Sequence, residues 1–102
     1  KADVVITNPT HFAVALKYDQ KAMAAPVLIA KGADKIAAKI RDIATQHRIP
    51  IISNPPLARA LYDEVDLDEP IPIHHYKAVA EVIGFIYKMK KKKKPQLQTG
   101  KG

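Results

Sequence analysis

The chain is 102 residues long, carries 17 Lys and Arg against 10 Asp and Glu for a formal net charge of +7, and contains no cysteine. That length admits one small domain, and the missing cysteines exclude disulfides, thiolate metal sites and a thiol nucleophile. No apolar run reaches the roughly 20 residues a membrane-spanning helix requires, and much of the positive charge sits in one block, Lys88 and Lys90 to Lys94.

The first element is a short β-branched run, Val4-Val5-Ile6-Thr7, which predicts a buried strand. A chain that starts so abruptly in a strand is expected to be a fragment of a longer protein. After Asn8-Pro9-Thr10-His11, residues 12–18 alternate large apolar side chains with small or polar ones, and this period of two predicts a second strand with a defined buried face. Residues 19–25 read as a loop and residues 26–30 as a third strand closed by Gly32. Ile36, Ala37, Ile40, Ile43 and Ala44 form one apolar stripe while Lys35, Lys39, Arg41 and Asp42 lie toward water, so residues 33–47 are expected to be helical. Residues 49–53 return as a strand, and the strand-helix-strand unit is expected to be a right-handed parallel crossover.

Asn54 then reads as a helix N-cap and Pro55 as the first helical residue, with Leu57 and Leu61 spaced for burial in a helix over 55–63. A connector rich in Asp, Glu and Pro covers 64–73, and a last helix from about His75 to Met89 presents Val79, Val82, Ile83 and Ile86 at helical spacing. The sum is a single α/β domain over 1–89, a mixed four-stranded sheet flanked by three to four helices. Residues 90–102, a lysine block followed by Pro95 and then Gln, Thr and Gly, read as a disordered basic tail.

Asn8-Pro9 carries the chemistry. An asparagine carboxamide nitrogen can attack its own main-chain carbonyl carbon, closing a five-membered succinimide and expelling the following amine, with the large effective concentration of an intramolecular reaction. In most Asn-X pairs a different ring closure wins, because the backbone nitrogen of X attacks the side-chain carbonyl and deamidates the asparagine without cutting the chain. Pro9 has no N–H, so that route is closed at Asn8, and a residue before proline is held toward extended ψ. Asn and Pro also suit positions i and i+1 of a β-turn over residues 8–11, type I rather than type II, because type II asks for positive φ at the β-branched Thr10. His11 is the nearby group with an ordinary pKa close to neutrality, fit to accept a proton from the attacking amide or pass one to the leaving proline nitrogen. Thr10 would polarise the carbonyl or fix the turn. Asn54-Pro55 repeats the dipeptide in a capping context, so the pair alone does not specify cleavage.

The surrounding residues resemble those of a known family. Lys1-Ala2-Asp3-Val4-Val5-Ile6-Thr7-Asn8-Pro9-Thr10-His11, Ala25-Pro26, Ala30-Lys31-Gly32, Ile49-Pro50-Ile51 and Pro55-Pro56-Leu57-Ala58-Arg59-Ala60-Leu61-Tyr62 together resemble the cytoplasmic domain of the FlhB/YscU/SpaS export-switch proteins of type III secretion, over nearly residues 1–89. The Ala-Lys-Gly and Pro-Pro-Leu-Ala-Arg elements are more similar to the flagellar branch than to the injectisome branch, whose counterpart remains the alternative. The resemblance implies autocleavage between Asn8 and Pro9, with both pieces staying associated and the export gate changing from rod and hook subunits to filament subunits. Asn8 would cyclise, Pro9 become a new N-terminus, and Thr10 and His11 assist. This is a single-turnover event rather than enzyme catalysis. The resemblance further implies a membrane domain upstream of residue 1 and a place on the cytoplasmic face of the bacterial inner membrane. Its implied partners are other export-gate components, a hook-length ruler protein, and exported flagellar subunits with their chaperones.

The remaining candidates are weaker. Ala25 and Pro26 are expected beside Ala80 and Ile83 of the last helix, either as ordinary core packing or as a shallow receptor for short apolar export signals. His74 and His75 on a helix would point about 100° apart, a poor chelating pair, and no metal or organic cofactor is expected. His47 complements a helix C-terminus. The lysine block reads as a solvating tail, with an anionic membrane leaflet or acidic partners as alternatives, and the body shows neither a recognition motif nor an aromatic platform for nucleic acid. Two readings stand: a self-cleaving switch module, or an interaction domain whose Asn8-Pro9-Thr10-His11 turn is structural.

Overall fold

The computed structural model describes residues 1–19, 21–22 and 24–99, with residues 91–99 as backbone only. In chain order the elements are β1 (Val4–Asn8), β2 (Phe12–Lys17), β3 (Val27–Ala33), α1 (Asp34–Gln46), β4 (Ile51–Ser53), α2 (Pro55–Glu64), β5 (Glu69–Pro70), a 3-10 turn (Ile73–His75) and α3 (Tyr76–Thr99). They build one mixed sheet in the order β4-β1-β2-β3-β5. β1 is antiparallel to β2 and parallel to β4, and β2 is antiparallel to β3, so β3 and β4 run the same way as the crossover expectation requires.

The alternation in β1 and β2 sorts side chains between two covered faces. Val4, Ile6, Val14 and Leu16 join Leu57 and Leu61 of α2 and Val79, Val82 and Ile86 of α3 in the larger core. Val5, Ala13 and Ala15 face the other way and meet Ala37 and Ala44 of α1. The alanines on that face leave room for the helix to lie close. Asn54 caps α2 as its sequence context predicts, its side-chain oxygen accepting from the Leu57 N–H at 3.4 Å, with proline at the first helical positions.

Four expectations are corrected. The sheet has five strands, not four, because Glu69 and Pro70 in the acidic connector pair with Leu28 and Val27 at the β3 edge. Proline has no N–H to offer outward, so it suits an edge strand. Gly32 does not close β3 but lies inside it, opposite Ala13. The strand before α2 is limited to Ile51–Ser53, Ile49 and Pro50 preceding it, although the Pro50 carbonyl still accepts from the Val5 N–H at 2.9 Å. Finally, α3 runs from Tyr76 to Thr99, past the expected helix end at Met89 and into the stretch read as a basic tail. The end of that expected tail, residues 100–102, lies outside the described residues.

Gly32 is required by space. A Cβ built there would lie 2.1 Å from Ile36 Cγ2, 2.7 Å from Ile36 Cβ and 3.2 Å from the Ile36 backbone carbon. The first atom can rotate away, but the other two are fixed by α1. Gly32→Ala is therefore expected to destabilise the domain by about 1–3 kcal/mol, the usual cost of overpacking, measured by urea unfolding. Gly32→Ala/Ile36→Ala should recover part of that loss, and no loss in the single variant would contradict this packing.

Candidate functional site

Residues 8–11 form the tight turn that joins β1 to β2. Asn8 and Phe12 are the last register pair of the hairpin, and the His11 N–H donates to the Asn8 carbonyl oxygen at 2.8 Å. Thr10 does not take positive φ, which matches the type I expectation. Asn8 is half-buried, while Pro9, Thr10 and His11 are exposed.

That hydrogen bond gives the His11 backbone N–H the contact with the carbonyl that the sequence leads one to expect of Thr10. The carbonyl it binds belongs to the Asn8–Pro9 peptide. Any nucleophilic attack on this carbonyl carbon would place charge on the oxygen, where the N–H donor at 2.8 Å could stabilise it. The imidazole points toward α1 instead: its Nδ1 is 3.7 Å from Asp34 Oδ1, with both side chains largely exposed. Asp34 also donates its backbone N–H to the His11 carbonyl at 2.9 Å and adopts φ 48°, a left-handed conformation that aspartate tolerates better than most residues. The turn is thus held from both sides of His11, by Asn8 and by the start of α1. Asp34 reads in sequence only as an acid in a first helical turn, and no local pattern reveals that it meets His11.

Two nearby features also escape sequence reading. Lys31 Nζ donates to the carbonyls of Tyr62 at 2.9 Å and Val65 at 2.8 Å, closing the C-terminal end of α2, and lies 5.3 Å from the centre of the Tyr62 ring. Phe12 stacks on Tyr62 with ring centres 4.5 Å apart. The first strand after the turn is thereby tied to α2.

The second predicted group does converge. Ala25, Pro26, Ala80 and Ile83 line one shallow cleft of about 300 Å³, together with Tyr76 and Tyr87. Ala25 is buried and Ile83 partly so, whereas Ala80 is exposed. The cleft is apolar, open, and formed by the segment before β3 and the outer face of α3.

His74 and His75 do not diverge as expected. The 3-10 turn folds both rings to one side, 4.2 Å apart, and both Nε2 atoms approach Glu64 Oε1, at 2.8 and 3.0 Å. These two hydrogen bonds, His74's first, hold the Glu64 carboxyl below the usual carboxylate range. His47 sits at the end of α1, where its Nδ1 is 2.9 Å from the Ile43 carbonyl, as expected for a group at a helix C-terminus.

The chain belongs to one class of protein: residues 1–86, which span the sheet, the Asn-Pro-Thr-His turn and the start of α3, match the FlhB HrpN YscU SpaS Family. Among its members the chain is similar to the flagellar biosynthetic protein FlhB of Bacillus subtilis strain 168, 53% identical over 92 residues that make up 90% of this chain and 26% of the relative. The chain thus spans about a quarter of the length of such relatives. The fold is similar to the crystal structure of the cytoplasmic domain of FlhB from Shewanella putrefaciens, with TM-score 0.87 and 47% identity over 92% of this chain and 72% of that one. It is also similar to an EscU C-terminal domain carrying an asparagine-to-alanine substitution, with TM-score 0.81 and 33% identity over 83% of this chain and 85% of that one.

Proposed function

We propose that this domain is a self-cleaving switch of a flagellar type III export gate, cut once between Asn8 and Pro9. The observation that carries the proposal is the Asn8 carbonyl, held by the His11 N–H at 2.8 Å inside an intact Asn-Pro-Thr-His turn. Asn8 Nδ2 attacks its own carbonyl carbon, and the oxygen takes up negative charge against that N–H. Collapse breaks the bond to Pro9 nitrogen, and the proton lost by Nδ2 is delivered to the proline, through His11 or a water. The products are a succinimide at Asn8, which water opens, and a free secondary amine at Pro9. No external substrate or cofactor enters the balance.

The cut leaves a domain rather than two loose pieces. Val4 to Thr7 are buried, and β1 is paired on both sides, so the consequence is a local change at the turn. A longer protein would carry the domain at the cytoplasmic face of the inner membrane. There the freed turn would alter which substrates the gate accepts, from rod and hook subunits to filament subunits. The decisive experiment is the mass of the purified chain after incubation. Two fragments, the smaller ending at Asn8 or its succinimide, support the proposal, whereas one intact mass refutes it.

The cleft formed by Ala25, Pro26, Ala80 and Ile83 is the place in this reading where short apolar export signals dock, before the chaperoned subunit is passed to other gate components. Ile83 is only partly buried, so Ile83→Glu is expected to lower binding of an apolar signal peptide at least tenfold while shifting the unfolding midpoint little. Equal binding by both proteins would remove the cleft from the proposal.

A further inference from the structure

Glu64, His74 and His75 belong to neither the turn nor the cleft. Each offers one ligand atom, and all of these atoms lie within 4.8 Å of one another. They come from two elements, Glu64 ending α2 and both histidines ending the 3-10 turn before α3. One surface hydrogen bond to Glu64 would need one histidine. Here two rings converge on a single carboxylate oxygen, with His75 largely shielded at 13% exposure while His74 at 65% and Glu64 at 42% form an open rim.

We propose that Glu64 Oε1, His74 Nε2 and His75 Nε2 bind one divalent transition-metal ion of the zinc class. Two imidazole nitrogens and one carboxylate oxygen suit zinc, nickel or copper and not calcium or magnesium, which prefer oxygen alone. Metal-ligand bonds of about 2.0–2.2 Å in a tetrahedron space the ligand atoms roughly 3.4 Å apart. The present 2.8 and 3.0 Å separations from Glu64 widen by about half an ångström, and rotation of the exposed His74 ring supplies any further closure between the two nitrogens. The ion takes the place of the Nε2 protons that face Glu64, and each neutral ring changes tautomer so that its one proton sits on Nδ1 and Nε2 is free to ligate. The open rim leaves room for water to complete the coordination.

The site would act as a clip. It joins the end of α2 to the start of α3 and closes the segment 65–72, which carries β5. Because β5 pairs with Val27 and Leu28, directly after Ala25 and Pro26, the bound ion braces the frame that carries both walls of the apolar cleft. The inference stands apart from the cleavage proposal, since none of its three residues lies in the turn.

Titration calorimetry of zinc chloride into the chain, in a chelator-free buffer, tests the site. One ion per chain is expected, with His74→Gln, His75→Gln and Glu64→Gln each weakening binding about 10- to 100-fold or more, the range that even an outer-shell change produces. His47→Gln should bind as the parent does, and magnesium should not compete. Absence of saturable binding, or binding that none of the three substitutions weakens, overturns the proposal. Should those variants fold poorly, ring-nitrogen NMR of the parent chain decides: zinc must move the Nε2 resonances of His74 and His75, and a change confined to His11 or His47 places the ion elsewhere.

Discussion

Asn8→Ala is expected to leave the chain at one intact mass after incubation at neutral and mildly alkaline pH, under conditions in which the parent resolves into two fragments. Alanine removes the only nucleophile the reaction uses, and what remains is the far slower attack of water on an ordinary amide. For a cut completed within minutes, the parent must lower the barrier to roughly 21 to 22 kcal/mol, and intramolecular attack on a carbonyl already held by the His11 N–H supplies much of that reduction. The substitution should spare the fold, because Asn8 is only half-buried and the hydrogen bond from His11 reaches a backbone oxygen that alanine also has. Near-identical amide spectra outside the turn in the parent and Asn8→Ala proteins would confirm that only the cut differs. Fragmentation of Asn8→Ala at the same rate would mean that the asparagine is not the nucleophile.

Leu61→Ala should have the largest effect on stability. Leu61 is fully buried on α2 in the cluster that also contains Val4 and Ile6 of β1. Removing a leucine side chain from such a site costs about 3–5 kcal/mol through lost transfer energy and the cavity left behind, a large share of the 5–15 kcal/mol typical of a domain. The effect is expected to take two forms. In the uncut chain, prepared on the Asn8→Ala background, the urea midpoint should fall. In a chain cut after Asn8, β1 is held only by its neighbours, so the loss should appear as concentration-dependent release of the short fragment. A midpoint unchanged within error would show that α2 does not pack on β1 as described.

Much of this architecture is legible in the sequence because its pattern and its packing agree. The period-two run from Phe12 to Leu16 predicts two different faces, and the structure gives Val14 and Leu16 to one helix layer and the intervening alanines to another. Asn54 carries its capping role locally, in the prolines that follow it. The meeting of Ala25 and Pro26 with Ala80 and Ile83 is longer-range, and family resemblance brings it within reach. What stays illegible depends on contacts made across the chain. The pair Glu69–Pro70 has no periodicity and becomes a strand only because β3 offers it an edge. Gly32 reads as a terminator, yet its purpose is the approach of Ile36. His11 suggests chemistry through its ring, while in the structure its backbone N–H holds the Asn8 carbonyl. His74 and His75 diverge on an α-helical wheel, but a 3-10 turn brings them together.

β1 lies between β2 and β4 with hydrogen-bond ladders on both sides, and this arrangement has a mechanical meaning. A pull along β1 from Lys1, resisted by the rest of the domain, loads both ladders in shear, so their bonds bear the tension together instead of opening one after another. The covalent link at Asn8–Pro9 sits at the far end of that strand and is not the first element to resist. A domain cut there would still transmit force from its N-terminal side to its helices, while its turn had become free to take a new shape.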